Sequence, residues 1–193
     1  MAILDIRVLG DPVLREQTQP VPSVTDEIRQ LVDDLFETMH AAGGIGLAAP
    51  QVGRRERVAV VEVDEQPLIF INPEIISRES SARDEEGCLS IPEIYGEVDR
   101  PATIVVRALD REGHPFELNA AGLLARCIQH EVDHLDGKLF IDYLSLLKRR
   151  SAARKWEDEV EKYPNFIRKI EPGQATPRKS RSRKPTPEHE PEL

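Results

Sequence analysis

The residues AAGLLARCIQHEVDHL, positions 120–135, constrain most strongly what this chain can fold into. They read as one helix. At about 100° per residue, Ala120, Leu123, Leu124, Cys127, Ile128 and Leu135 fall on one side. His130, Glu131 and His134 fall inside that apolar stripe, and Arg126, Gln129 and Asp133 fall opposite it. Ionisable groups on a buried stripe need a partner. Histidines at i and i+4 stand one turn apart on the same face, so both can bond one metal ion. Glu131 beside them can hold or give a proton.

A catalytic site of the zinc type takes three protein ligands and leaves one position open. The helix supplies two. Cys127 is a poor third, because the helix rises roughly 10 Å between it and His134 while metal–ligand bonds are only about 2.0–2.3 Å; it reads as a core thiol. A metzincin would carry a further histidine after the glycine that follows the motif. Gly137 is present, but the histidine position holds Phe140. Glu157, Glu159 and Glu161 sit among lysines and arginines and read as a solvated helix face. Cys88, in DEEGCLSIP (84–92), is the remaining soft ligand, although a lone loop cysteine is more often an inert thiol. Glu86 in that segment could orient a ligand or a neighbouring arginine. The stretch GGIGLAAPQVG (43–53) follows an amphipathic helix. Its Gly44 and Gly46 let backbone approach a ligand, and the Gln51 amide could donate to a developing oxyanion. Alone it would be a glycine-rich turn.

Together, GIGLAAPQ (44–51), EGCLS (86–90) and QHEVDH (129–134) resemble, in order and spacing, the three motifs of the peptide deformylase family. The resemblance runs from about Val8 to about Leu147. It implies Cys88, His130 and His134 as ligands of one divalent metal ion, and Glu131 as the acid and base. It also implies an oxyanion hole formed by Gln51 and the backbone N–H of Leu89, with Gly46 bonding an extended substrate. Ile45, Leu123 and Cys127 would wall a slot for methionine. The activity implied is removal of the formyl group from the N-terminal formylmethionine of new polypeptides, with release of formate. Ferrous iron is the metal the family implies first, with zinc, nickel and cobalt as working alternatives. Tyr95 and Arg126 depart from the better-known pattern, which has an arginine beside the substrate channel and, in some members, an apolar residue near the methionine pocket.

Composition agrees with such an enzyme. The chain has 193 residues, enough for one real core, and a formal net charge of -9, which argues against DNA as a partner. Two cysteines make no disulfide framework. The N-terminus lacks the basic region and apolar run of a signal peptide, and no stretch approaches a membrane span, so the expected place is the cytoplasm. From about Ile170 the composition shifts: five of the chain's 15 prolines, a basic run at 178–184 and an acidic end predict a disordered tail. The expected division is a catalytic domain at 1–168 and a tail at 169–193. Lys148, Arg149, Arg150, Arg154 and Lys155 on the last helix, with the tail's basic run, would suit transient docking on the ribosome.

The remaining pattern predicts an α+β fold of mostly antiparallel sheets around the metal-binding helix, closed by a C-terminal helix. Ile28, Leu31, Val32, Leu35, Phe36 and Met39 recur at helical spacing, with Ser23 as the start signal and Gly43 and Gly44 as the stop. Strands are expected at 57–63, at 68–71 up to Asn72 and Pro73 with Ile75 and Ile76 as a continuation beyond a kink, and as a hairpin at 103–109 and 115–118. His114 falls in that turn. Ser145 should cap a final helix whose inner side carries Leu146, Ala153, Trp156, Val160 and Tyr163. An endopeptidase, a closed structural metal site and a deformylase-like protein without activity are the competing readings; the missing third histidine weighs against the first, the count of only three credible ligands against the second, and the intact motif residues against the third.

Overall fold

The computed structural model describes residues 2–170; the basic run and almost all of the expected tail lie outside the described residues. The architecture is α+β with antiparallel sheets. In chain order the elements are β1 (Ile6–Arg7), α1 (Asp26–Ala41), β2 (Gly46–Ala48), β3 (Val58–Val63), β4 (Gln66–Glu79) and β5 (Ala82–Cys88). There follow β6 (Ile91–Arg100), β7 (Thr103–Leu109), β8 (Pro115–Ala121), α2 (Gly122–Leu135), α3 (Leu146–Glu159) and β9 (Ile167–Arg168). A five-stranded sheet has the order β2-β3-β4-β7-β8, β5 and β6 form a separate hairpin, and β1 pairs with β9.

Helix α1 starts at Thr25, whose hydroxyl accepts from the Ile28 N–H; Ser23 lies two residues too early to do this. Its apolar side meets β2 and β3 through Leu31, Val32, Leu35, Met39, Leu47, Val58 and Val60. Strand β4 does not stop at Asn72 and Pro73. Asn72 takes a left-handed conformation (φ 54°), which its short polar side chain tolerates, and the register with β7 shifts there. Its amide then bonds both the N–H and the C=O of Val21, each at 2.8 Å, so the irregularity is held from outside the sheet.

Helix α2 begins later than its apolar pattern suggests, because Ala120 and Ala121 still pair with β7. It is buried all round from Ala125 to Leu135. Arg126, Gln129 and Asp133, opposite the apolar stripe, do not face solvent: the β5–β6 hairpin meets Arg126 and Asp133, and Gln129 bonds the carbonyl of Pro101 just after it. That hairpin is the element the sequence reading missed. Residues 82–88 (ARDEEGC) carry four charged residues in a row and residues 91–100 (IPEIYGEVDR) show no strict alternation, and most of β5 is exposed. Ile91, Ile94 and Val98 of β6 pack instead against Phe140, Leu144 and Trp156. Ser145 caps α3 as expected, yet the inner side differs. Ala152 and Trp156 are buried, whereas Leu146 and Ala153 are exposed, since the helix makes its apolar contact through Ala152 and Trp156. Trp156 stacks on Tyr163 at 5.8 Å. No helix among the described residues is long and apolar enough to cross a membrane.

Candidate metal centre

Two segments far apart in sequence, 44–51 and 86–90, converge on α2. The hairpin brings Cys88 at the end of β5, and α2 brings His130 and His134. One donor atom from each of these lies within 4.8 Å of the others, and the Cys88 Sγ to His134 Nε2 distance is 3.2 Å. Sulfur and nitrogen bound tetrahedrally to one ion would stand about 3.5 Å apart. The spacing and the chemistry of the set, one thiolate and two imidazoles, therefore fit a single transition-metal ion. Cys127 stays out of the cluster. It is buried, its Sγ bonds the Ile45 carbonyl at 3.5 Å, and burial pushes its thiol well above the ordinary range.

Glu131, about 100° round the helix from His130, lies against β2. A methyl group added to Gly46 would lie 2.3 Å from Glu131 Oε1 and 2.8 Å from Cys127 Sγ, so only glycine lets the carboxylate in. Glu131 is 4% exposed and its Oε2 has no hydrogen-bond partner among the described residues. Burial raises its pKa to about 7, against the lowering effect of the positive groups nearby. A carboxyl group in that range can both take and give a proton near neutrality.

Gln51 lies in a short 3-10 turn (Ala49–Val52) directly after β2. Its Oε1 accepts from the Ala48 N–H at 2.8 Å, which turns Nε2 toward the centre, 3.2 Å from Ser90 Oγ and 3.6 Å from Cys88 Sγ. Leu89 occupies the hairpin turn. Its side chain lies so near Gly44 that a methyl group there would come within 2.8 Å of it, and its carbonyl accepts from Arg168 at 3.2 Å. The centre thus gathers Gly44, Ile45, Gly46, Gln51, Cys88, Leu89, Cys127, Glu131 and both histidines. Leu123 is the outlier: on the first turn of α2, it is 55% exposed and belongs at a rim. Tyr95 is also exposed, its ring lying over Gly87.

Behind the histidines is a buried ionic network. His130 Nδ1 lies 3.1 Å from Glu86 Oε2, which leaves Nε2 for an ion. Arg100 bonds both oxygens of Glu86, at 2.5 and 2.9 Å, and also Asp133 at 2.7 Å. Tyr143 donates to Asp133 at 2.9 Å. Burial works against the Glu86 charge, but the hydrogen bonds from His130 and Arg100 outweigh it and hold the pKa at about 2. Glu86 therefore meets both His130 and an arginine of the neighbouring strand. The sequence pattern assigns no task to Arg100, Asp133 or Ser90, although Arg126, His130 and Asp133 at i, i+4 and i+7 do mark a second helix face.

A cysteine and two helical histidines around one point, with an unpartnered carboxyl group at their side, define a mononuclear metal-dependent hydrolase. A family model described as polypeptide deformylase matches residues 3–150. The peptide deformylase of Alkalilimnicola ehrlichii is 58% identical over 164 residues, covering 83% of this chain and 92% of that protein. The crystal structure of a peptide deformylase from Legionella pneumophila aligns with a TM-score of 0.80 at 44% identity, covering 83% of this chain and 96% of that one. That of Ehrlichia chaffeensis, in complex with actinonin, gives a TM-score of 0.80 at 41% identity, covering 82% and 98%. The chain belongs to the polypeptide deformylase family. It is a hydrolase that removes the formyl group from the N-terminal methionine of nascent peptides.

Proposed function

We propose that Glu131 is the proton carrier of this reaction, that Cys88, His130 and His134 hold the metal ion, and that Gln51 Nε2 and the Leu89 N–H receive the oxyanion. The observation that carries this reading is the buried Glu131 carboxyl group with one oxygen unpartnered, set between Gly46 and the donor cluster. A divalent ion held there would acidify a water and polarise a carbonyl. Glu131 takes a proton from the attacking water as its oxygen adds to the formyl carbon. Gln51 Nε2, aimed by the Ala48 N–H, donates to the oxygen that gains charge. As the C–N bond breaks, Glu131 returns the proton to the leaving amine, and formate and a free N-terminus result. Gly44, Ile45 and Gly46 provide the backbone edge along which an extended peptide lies, and Cys127 and Leu123 border the methionine side chain.

Ferrous iron is the metal we assign, with zinc, nickel or cobalt able to replace it in the same donor set. The setting is the cytoplasm, and the catalytic domain takes in residues 1–168. Transient ribosome docking falls to Arg150, Arg154 and Lys155, because Lys148 already pairs with Glu97 at 2.7 Å and Arg149 bonds the carbonyls of Ile141 and Asp142. The test is formate release from a formyl-methionyl tripeptide by protein kept from oxygen, with metal content measured and an acetylated tripeptide alongside. Formate release that Cys88→Ala and Glu131→Gln abolish supports the reading. Full metal occupancy without turnover would overturn it.

A further inference from the structure

The metal-binding residues come from two bodies with separate apolar cores. The β5–β6 hairpin, which carries Cys88, packs through Ile91, Ile94 and Val98 onto Phe140 and Trp156. Helix α2, which carries both histidines, packs through Ile128 and Val132 onto Phe70 and Val106 of the five-stranded sheet. The seam between these cores is bridged by charge, and Arg126 makes the broadest bridge. Its Nη1 donates to Glu86 Oε1 at 2.7 Å and to the Val98 carbonyl at 3.0 Å, and its Nη2 donates to the Ala82 carbonyl at 2.7 Å. One guanidinium on α2 thus grips both hairpin strands. Arg126 stands one turn before His130, and each of the two meets a different oxygen of Glu86.

We propose that Arg126 is a positioning residue that fastens the hairpin to α2, fixes Cys88 relative to His130 and His134, and so sets how long the metal ion is retained. The proposal rests on those three residues being the ligands. Metal–ligand distances tolerate only about 0.2 Å, so a small slide of the hairpin changes the fit of the thiolate. Arg100 cannot do the same work, because it is itself part of β6 and reaches α2 only through Asp133. Arg126 is the complementary tie, anchored on the helix and directed at β5 and β6. Its planar fork meets three acceptors at once, which a lysine cannot do. Loss of Arg126 leaves Glu86 paired with Arg100, so no bare buried charge results and the fold should persist.

The test uses the full chain loaded with cobalt, reading the thiolate-to-cobalt absorption and the rate of cobalt loss to a chelator. Removing an outer partner of a metal ligand typically costs about 10–100-fold in affinity. Arg126 acts one contact further out, so Arg126→Met should speed loss about tenfold, the low end of that range, and alter the thiolate band. Arg126→Lys, keeping the charge but not the fork, should fall between. A purely structural role would lower the melting temperature and leave the spectrum of the folded protein unchanged. A folded Arg126→Met with the wild-type band and rate overturns the proposal. If that variant does not fold, a wild-type rate in Arg126→Lys overturns it equally. A wild-type protein with no band that Cys88→Ser removes would instead overturn the ligand assignment, and the proposal with it.

Discussion

One side of α2 is closed by Ile128 and Val132 against Phe70, Ile104 and Val106, the ordinary contact of a helix on a sheet. The other is closed by Arg126, His130 and Asp133 against Glu86 and Arg100, with Glu86 and Arg100 each about 5% exposed. Buried ion pairs are poor sources of stability, since desolvation consumes most of the attraction. The charged side supplies direction instead. Glu86, gripped by two guanidinium groups, stays an acceptor and presents His130 one way round. Glu131, on the other side and without such partners, is pushed up to about 7 by burial. Two glutamates within one small volume are thereby shifted in opposite directions, Glu86 down to about 2 and Glu131 up to about 7.

That contrast is broken most directly at Glu131. Glu131→Gln keeps shape and burial but removes the exchangeable proton. Turnover should fall by at least about 10²–10⁴, the usual worth of general acid–base catalysis, while measured metal content stays unchanged. Arg100→Met tests the opposite side. It leaves Asp133 without its guanidinium and Glu86 with only Arg126 and His130, and should cost on the order of 3–5 kcal/mol in chemical denaturation, with metal retention impaired as well. Similar loss of stability with undisturbed metal binding would mean that the network does not orient His130.

The apolar side was legible in the sequence because periodicity alone reports it: Ile128 and Leu135 lie inward as their spacing demands. The charged side was not. Arg126, Gln129 and Asp133 look like a solvent face to any one-dimensional pattern, and what buries them is a hairpin whose own strands are dominated by charge. Glu86 was noticed only through its place next to Gly87 and Cys88. The extended course of β4 is legible only in part: Ile75 and Ile76 suggest a continuation past the stop signals Asn72 and Pro73, but the bonds to Val21 that hold the strand there come from about fifty residues away in the chain.

Gln51 lies between the two regimes, being buried, uncharged and aimed at the centre by a single backbone N–H. Gln51→Ala should lower kcat by about 10²–10³, as loss of one oxyanion donor does elsewhere, with little change in KM or metal content. A change confined to KM would move Gln51 from the oxyanion to substrate binding.

The smallest expected effect sharpens the comparison most. Ile128→Val removes one methylene group from the apolar side, two residues from His130 and with 1% exposure. The usual cost is about 0.5–1.5 kcal/mol, readable as a shifted denaturation midpoint with an unchanged slope. The sheet contact should absorb that change locally, because dispersion contacts have no preferred direction and do not bear on the ring of His130. Formate release and cobalt loss should therefore match wild type, although Ile128 is nearer to His130 in sequence than Arg126 is. If the methylene deletion accelerates cobalt loss as much as Arg126→Met does, the two sides of α2 are mechanically one body, and charge has no special part in placing the ligands.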